Sequence, residues 1–217
     1  MLRQDNDLVS VWAESNGPQL VIAFAGLGEV GSSVCWGADY FRKAGFSFVS
    51  FVPKKPHWYP ALSFQVSAEI AQFIGQYSER ITYGYSMGGH AALKAGGIFG
   101  ASRSVALCPQ YSVDPKVIAD HRYNKYWMDG VGTHHMMFMS SRARRIVFCD
   151  GAHVLDRQHV SLISQAEPVD VMNCVEAGHD VWEALRKRDL VGPTGIITSA
   201  LAGRLSLAEF SFRYKRL

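Results

Sequence analysis

The stretch RITYGYSMGGHAAL, residues 80–93, decides the fold. It begins with an apolar run typical of a buried strand, passes through a serine between two glycines, and ends in small residues typical of a closely packed helix. The pattern is G-x-S-x-G, with Ser86 at its centre and Gly84 and Gly88 on either side. A serine on a sharp strand-to-helix turn indicates a nucleophile. The alternative is a tight turn with a capping serine.

The expected position of Ser86 gives the pattern a physical reason. Ligands of open α/β sheets bind at the carboxyl ends of the strands, and Ser86 ends a predicted strand. The flanking glycines keep side chains out of the crowded turn. A helix beginning at Met87 directs its free backbone N–H groups at the serine, which favours developing negative charge there.

The composition is that of a globular protein of 217 residues, with 48% hydrophobic and 19% charged residues. This length predicts one domain, 1–217. The net charge of +3 is scattered apart from SRARR, residues 141–145, so we expect no nucleic-acid partner. The polar N-terminus and the lack of an apolar run of about 20 residues predict no signal peptide and no membrane span. Four cysteines without C-x-x-C spacing predict free thiols in a reducing cytoplasm and no zinc site.

Strand-like and helix-like segments alternate along the chain. The predicted strands are 8–15, 19–26, 46–52, 80–86, 102–109, 144–150 and 169–175, and the predicted helices are 31–44, 61–77, 87–99 and 180–190. This alternation predicts an α/β fold with a mostly parallel central sheet and helices on both faces. After GPTG, residues 192–195, we expect one more helix and a basic tail.

One long connection, residues 110–143, interrupts the alternation. It is rich in aromatic residues, histidine and methionine, and long connections in compact domains commonly form lids or binding loops. We therefore predict a small lid-like insertion here, the alternative being a helical excursion that packs over the sheet edge. The adjacent His134 and His135 would point in different directions on a regular element, so no metal site is expected.

A serine hydroxyl needs a base, and a base needs a group that orients it. His179 follows the last predicted strand, the place of a catalytic histidine that comes after serine and aspartate in chain order. The acid should follow the strand 144–150, where Asp150 and Asp156 compete. We favour Asp156, which stands in the loop beyond the strand, although it could instead cap a helix.

The oxyanion of an acyl-transfer reaction needs two backbone donors. Met87 N–H follows the serine, and the turn after the strand 19–26 offers Leu27 or Gly28. The alternative is a simple glycine turn. GLGEVG, residues 26–31, also imitates the dinucleotide motif G-x-G-x-x-G, but no acidic residue ends the next strand, which argues against a nucleotide cofactor.

The chain resembles the α/β-hydrolase superfamily over nearly its whole length. It is similar to small bacterial hydrolase-like proteins associated with capsular or surface polysaccharide genes, on the stretches YGYSMGGHAAL (83–93), GASRSVALCPQYSVDP (100–115), HWYP (57–60) and FCDGAHVLDRQHV (148–160). The resemblance implies an esterase, deacylase or acyl-transfer enzyme. The chain departs from lipase-type relatives at the oxyanion turn, which has alanine-glycine in place of histidine-glycine.

These observations predict a serine hydrolase that cleaves an ester or thioester, with Ser86, His179 and Asp156 as catalytic residues and no cofactor or metal. The expected partner is a small-molecule or saccharide acyl ester. Aromatic faces suit sugar rings and acyl chains, and the predicted pocket walls are Trp58, Tyr59, Tyr111, Tyr126 and Trp127. The alternatives are an acyltransferase on the same residues and a non-catalytic binding module that retains the fold.

Overall fold

The computed structural model describes residues 1–127 and 142–215. The strands are β1 (Leu2–Asp5), β2 (Val9–Glu14), β3 (Leu20–Phe24), β4 (Ser47–Pro53), β5 (Arg80–Tyr85), β6 (Arg103–Leu107), β7 (Arg144–Cys149) and β8 (Asp170–Asn173). The helices are α1 (Ala38–Ala44), α2 (Ala68–Gly75), α3 (Met87–Ala95), α4 (Val154–Ala166), α5 (Val181–Lys187), α6 (Ile196–Leu201) and α7 (Leu207–Lys215). Short 3₁₀ helices cover Leu27–Glu29, Ala61–Phe64 and Asn124–Tyr126.

The described strands form one sheet in the order β1-β2-β4-β3-β5-β6-β7-β8. β1 and β2 are antiparallel, and every pair from β4 to β8 is parallel. β5 lies between β3 and β6, near the middle of the sheet. The parallel strands therefore bring their carboxyl ends to one edge, where β5 is flanked on both sides.

Two apolar layers cover the sheet because successive residues of its buried strands point to opposite faces. Helices α1, α5, α6 and α7 pack on one face. Helices α2 and α3 pack on the other face, and α4 extends this second layer over β7. The predicted α/β class, with a mostly parallel sheet and helices on both faces, is confirmed.

Some element boundaries differ from the prediction. The helix predicted over 31–44 is limited to α1, since Gly37 in the left-handed conformation precedes it. The helix predicted over 61–77 is a 3₁₀ turn followed by α2, which Ser67 caps through its side chain. The region after 195 holds two helices rather than one, separated at Gly203, whose φ of 75° lies in the left-handed region.

The edge strand β1 was not expected from its polar sequence, LRQD. Residues 128–141 of the lid predicted over 110–143 lie outside the described residues. Its described part, 110–127, is an irregular connection that runs past the carboxyl end of β5. No helix in the described ranges combines the length and the apolar character that crossing a bilayer requires.

Candidate active site

The turn after β5 holds Ser86 in a strained conformation, with φ of 54° and ψ of −119°. Its two glycines are sterically required. A Cβ at Gly84 would lie 2.1 Å from the carbonyl oxygen of Gly88, and a Cβ at Gly88 would lie 1.9 Å from that of Phe24. The backbone segments around the serine turn are therefore packed too closely for a side chain at either glycine. This packing holds Ser86 at the carboxyl edge of the sheet.

The structure brings together Ser86 from the turn after β5, Asp156 from the first turn of α4 and His179 from the loop after β8. Ser86 Oγ lies 3.1 Å from His179 Nε2, and His179 Nδ1 lies 2.8 Å from Asp156 Oδ2. Ser86 is 5% exposed and His179 is partly exposed, whereas Asp156 is buried. This is the geometry in which a histidine takes a proton from serine while a carboxylate orients the ring.

The protonation pattern follows from Asp156. Burial raises the pKa of this carboxyl, but hydrogen bonds and charges from His179 and Arg122 outweigh burial, so its pKa lies below the usual value. An ionised carboxylate only accepts hydrogen bonds, so His179 Nδ1 carries the proton that it shares with Asp156. Nε2 is then the acceptor that faces Ser86.

Asp150, the competing acid, lies elsewhere in the same loop region. Its Oδ2 accepts a hydrogen bond from the Gly178 N–H at 2.9 Å, and its Oδ1 accepts one from the Ala152 N–H at 2.9 Å. Asp150 therefore braces the backbone of the turn that carries His179. The carboxylate that contacts the imidazole ring is that of Asp156.

A buried ion-pair network surrounds the far side of Asp156. Arg122 donates from Nη2 to Asp156 Oδ1 at 2.8 Å and to Asp120 Oδ2 at 2.7 Å. His159 Nδ1 accepts from the Tyr111 N–H at 3.0 Å, so Nε2 carries the ring proton and donates to Asp120 at 3.1 Å. Although burial raises the pKa of Asp120, its hydrogen bonds to His159 and Arg122 leave that pKa lowered. The carboxylate of Asp156 is thus fixed from two sides.

The two predicted oxyanion donors lie on adjacent backbone segments. Met87 is the first residue of α3, so its N–H has no carbonyl partner within the helix. Leu27 begins the 3₁₀ turn after β3, and a Cβ at the preceding Gly26 would lie 3.0 Å from the Tyr85 carbonyl oxygen. The turn that carries Leu27 therefore passes directly beside the end of β5.

Two side chains at the serine were not predicted from the sequence. Gln110 is fully buried and donates from Nε2 to Ser86 Oγ at 3.2 Å and to the Cys108 carbonyl at 3.0 Å. The Tyr123 hydroxyl lies 2.9 Å from His179 Nε2. Burial raises the pKa of Tyr123 to about 12, so its hydroxyl keeps its proton. It competes with Ser86 for the single lone pair of Nε2.

The aromatic residues predicted to line a substrate pocket differ in how deeply they are buried. Trp58 and Tyr59 are fully buried, so the expectation that they offer a surface to a substrate is corrected. The Tyr59 hydroxyl donates to the carbonyls of Ala25 and Phe51 at 2.8 and 3.1 Å, which makes it a core residue. Trp58 Nε1 donates a hydrogen bond to Gln110 Oε1 at 3.3 Å. Trp58 therefore helps to hold Gln110, whose amide contacts Ser86 Oγ.

Tyr111, Tyr126 and Trp127 are half-buried on the connection after β6. Tyr111 packs against the apolar cluster under α4, and Tyr126 lies against the Trp58 ring with a centroid distance of 5.3 Å. Trp127 packs against the same layer as Trp58. These three keep partly accessible surface, and their contact with a substrate stays a prediction.

One group of side chains in the described ranges has the spacing of metal ligands: Cys108, Asp156 and His179, whose candidate atoms lie within 4.8 Å of one another. Burial raises the pKa of the Cys108 thiol well above its usual value, so the thiolate that a metal would require is disfavoured. Asp156 and His179 already bond to each other. Cys108, Cys149 and Cys174 are buried free thiols, and Cys35 is a partly buried one.

No protein-family model and no curated protein matches the chain by sequence. Solved structures match its fold. The capsule O-acetyltransferase of Neisseria meningitidis serogroup A aligns with a TM-score of 0.62 at 13% identity, over 85% of this chain and 89% of that chain. S-formylglutathione hydrolase of Staphylococcus aureus aligns with a TM-score of 0.55 at 13% identity, over 94% and 97%.

A third solved structure with a similar fold is described as an α/β hydrolase. An α/β hydrolase enzyme from the metagenome of lagoon sediments at Mar Chica, Morocco, aligns with a TM-score of 0.51 at 18% identity, over 88% of this chain and 95% of that chain. The chain has the α/β-hydrolase fold. The resemblance expected from the sequence is confirmed at this level, and the structural neighbours include a capsule-associated protein.

Proposed function

We propose that the protein is a serine-dependent acyl-transfer enzyme of the esterase type, which cleaves a carboxylic ester or thioester through an acyl-enzyme. The observation that carries the proposal is the hydrogen-bonded series from Ser86 Oγ to His179 Nε2 and from His179 Nδ1 to Asp156, at 3.1 and 2.8 Å. The ordinary demands of packing explain neither the strained serine nor a partly exposed histidine aimed at it.

In the first half-reaction Ser86 Oγ attacks the acyl carbon while His179 Nε2 takes the serine proton. Asp156 holds the ring in the required tautomer and stabilises the imidazolium that forms. The N–H groups of Met87 and Leu27 are the proposed donors to the oxyanion. Collapse of the tetrahedral intermediate breaks the bond to the leaving group, which takes the proton from Nε2. Water then attacks the acyl-enzyme by the same steps.

Labelling with a fluorophosphonate probe tests the proposal. The probe phosphorus accepts an activated serine oxygen and loses fluoride, so we expect one adduct per chain, located on Ser86 by mass spectrometry. Ser86→Ala should abolish labelling. His179→Ala should slow labelling by roughly three orders of magnitude or more, because removal of a base from such a site costs on that order.

Ser78→Ala is the matched control, since Ser78 is exposed and lies at the opposite end of β5. It should label at the wild-type rate. An absence of adduct on folded wild-type protein, shown by a cooperative unfolding transition, would contradict the proposal and favour a binding module that retains the fold.

A transferase is the second candidate, in which a hydroxyl acceptor replaces water. The observation that favours it is the similarity to the capsule O-acetyltransferase of Neisseria meningitidis serogroup A, a mutant of which has been solved in complex with CoA. The two reactions differ only at the second step. Pre-formed acyl-enzyme mixed with a series of alcohols and sugars distinguishes them: a hydrolase releases free acid throughout, whereas a transferase yields a new ester in proportion to acceptor concentration.

A further inference from the structure

A cavity of about 310 Å³ opens beside the candidate active site, and we call it the aromatic pocket. The aromatic and acidic side chains that line it are Glu29, Trp36, Tyr40, Tyr83, Tyr85, Asp180 and Trp182. Its volume is at the small end of ligand sites, so it suits a group of a few heavy atoms. None of the residues proposed for catalysis lines it.

Aromatic rings form much of the wall of the aromatic pocket. Trp36 and Tyr83 are stacked, with a centroid distance of 5.6 Å and an interplanar angle of 13°. Tyr40 meets Trp182 edge to face at 5.3 Å. The negative faces of such rings attract cations, most strongly when the ring is tryptophan.

The charged residues of the aromatic pocket are carboxylates. Glu29 forms no hydrogen bond or ion pair through its carboxylate with any residue of the described ranges, and Asp180 accepts one from the Glu183 N–H at 3.1 Å. The residues that line the cavity, taken over the described part of the chain, include no lysine or arginine. The whole chain has a net charge of +3, so this cavity is negative against the overall balance.

The Tyr83 hydroxyl is a second, independent sign of a ligand. Tyr83 is 3% exposed and lines the cavity, yet its hydroxyl makes no hydrogen bond within residues 1–127 and 142–215. The hydroxyl oxygen itself is not fully enclosed, so it faces the open space of the cavity. Burial also raises the pKa of this phenol, so it is a neutral donor and acceptor that is open to a ligand in the cavity.

We propose that the aromatic pocket binds an alkylammonium group. Aromatic faces and two carboxylates favour a cation, whereas the same carboxylates repel a phosphate or carboxylate ligand. A neutral sugar ring could stack on the walls but would make no use of the charge. The unpaired Tyr83 oxygen is available to a polar substituent of the ligand.

The position of the aromatic pocket connects it with the reaction, and this step rests on the proposed function. Tyr85 and Asp180 directly adjoin Ser86 and His179 in the chain, and the Tyr85 hydroxyl donates to the His179 carbonyl at 3.2 Å. A substrate whose ammonium group occupies the pocket therefore extends its ester towards Ser86. The substrate class would be acyl esters of amino alcohols.

Equilibrium binding to the Ser86→Ala variant tests the site without turnover. The probes are choline and its neutral isostere 3,3-dimethylbutan-1-ol, titrated by isothermal calorimetry. We expect choline to bind at least tenfold more tightly. Glu29→Gln should weaken choline at least threefold and leave the neutral alcohol unchanged, while Glu69→Gln, at an exposed carboxylate on α2, should change neither.

Three outcomes would overturn the site: equal affinity for both probes, no binding of choline, or binding of methyl glucoside in preference to choline. The link to catalysis has its own assay, the ratio of kcat/KM for acetylcholine and 3,3-dimethylbutyl acetate on wild-type protein. A ratio above ten in the wild type that disappears in Glu29→Gln supports the link to catalysis. Equal kcat/KM values for the two esters overturn the link. If choline binds but the fluorophosphonate fails to label Ser86, the pocket stands and the proposed function falls.

Discussion

Replacement of Gly88 by alanine tests whether the close backbone packing of the serine turn creates the candidate site. Gly88 is the second residue of α3, and all nine residues of that helix are buried. A Cβ built there lies 1.9 Å from the Phe24 carbonyl oxygen, 2.7 Å from its carbon and 2.9 Å from the Ala25 carbonyl oxygen. All three atoms are backbone, so no side chain can rotate away to make room.

The size of the effect follows from these distances. A real Cβ needs at least 3.0 Å, so the start of α3 and the end of β3 must separate by about 1.1 Å. Overpacking a core costs typically about 1–3 kcal/mol, and a clash made only of backbone belongs at or above the upper value. A displacement of about 1 Å at a reacting group can cost roughly 100-fold in rate. We therefore expect Gly88→Ala to lose about 3 kcal/mol and to label with fluorophosphonate about 100-fold more slowly.

The free energy of unfolding is measured by urea denaturation followed by far-UV circular dichroism. The rate of fluorophosphonate labelling is measured without denaturant, where the protein is folded. Gly75→Ala is the control, because Gly75 lies in α2 and a Cβ there meets no atom within 4 Å. It should stabilise the protein by about 0.5–1 kcal/mol, as alanine does over glycine in a helix. A loss below about 1 kcal/mol in Gly88→Ala, with labelling within twofold of wild type, would refute the reasoning.

Arg122→Leu should cost roughly 3–5 kcal/mol in urea denaturation, because it leaves the buried carboxylates of Asp120 and Asp156 without their shared cation. Adding Asp120→Asn should recover part of that loss, and a fully additive double variant would argue against a shared network. Tyr123→Phe removes the hydroxyl that competes for the imidazole nitrogen, so fluorophosphonate labelling should accelerate by up to about fivefold, the value of one net hydrogen bond. A slower rate would instead assign the hydroxyl a positive role. Burial lowers the pKa of Lys94 to about 8, so between pH 8 and 9.5 the unfolded chain binds the extra proton and the free energy of unfolding should rise with pH. The free energy of unfolding of Lys94→Met should change less with pH over that range. The same pH dependence in the variant and the wild type would contradict the attribution to Lys94.

The sheet could be predicted from sequence because buried parallel strands are continuous apolar runs. Each of the strands from β2 to β8 falls within or beside a run identified by that criterion. β1 was missed for the same reason: LRQD is an exposed strand that pairs, among the described strands, with β2 alone, and it buries too little surface to need an apolar pattern. Helix ends were less predictable where Gly37 and Ser67 decide them locally.

Ser86 and His179 were predicted from chain order, because a nucleophile and a base that follow strand ends have a recognisable spacing. Chain order left Asp150 and Asp156 in competition for the acid and only favoured Asp156, which lies in the first turn of α4. Gln110, Arg122 and Tyr123 carry no such spacing. They come from the connection after β6, and their roles depend on how an irregular backbone folds back across β5.

One signal at Arg122 was nevertheless present in the sequence. The series DHRY, residues 120–123, places an acid, a base and an aromatic residue on a connection that has no regular element to bury them. Charged residues rarely become fully buried unless they are paired, and Asp120 is buried here with Arg122 beside it. The Asp120 carboxylate holds the Arg122 guanidinium beside Asp156, which lies more than 30 residues further along the chain. Arg122 in turn fixes the Asp156 carboxylate that bonds to His179. The same connection therefore contacts Ser86 and the carboxylate that is bonded to His179. Under the proposed function, changes in this segment should affect catalysis as much as changes in the strands.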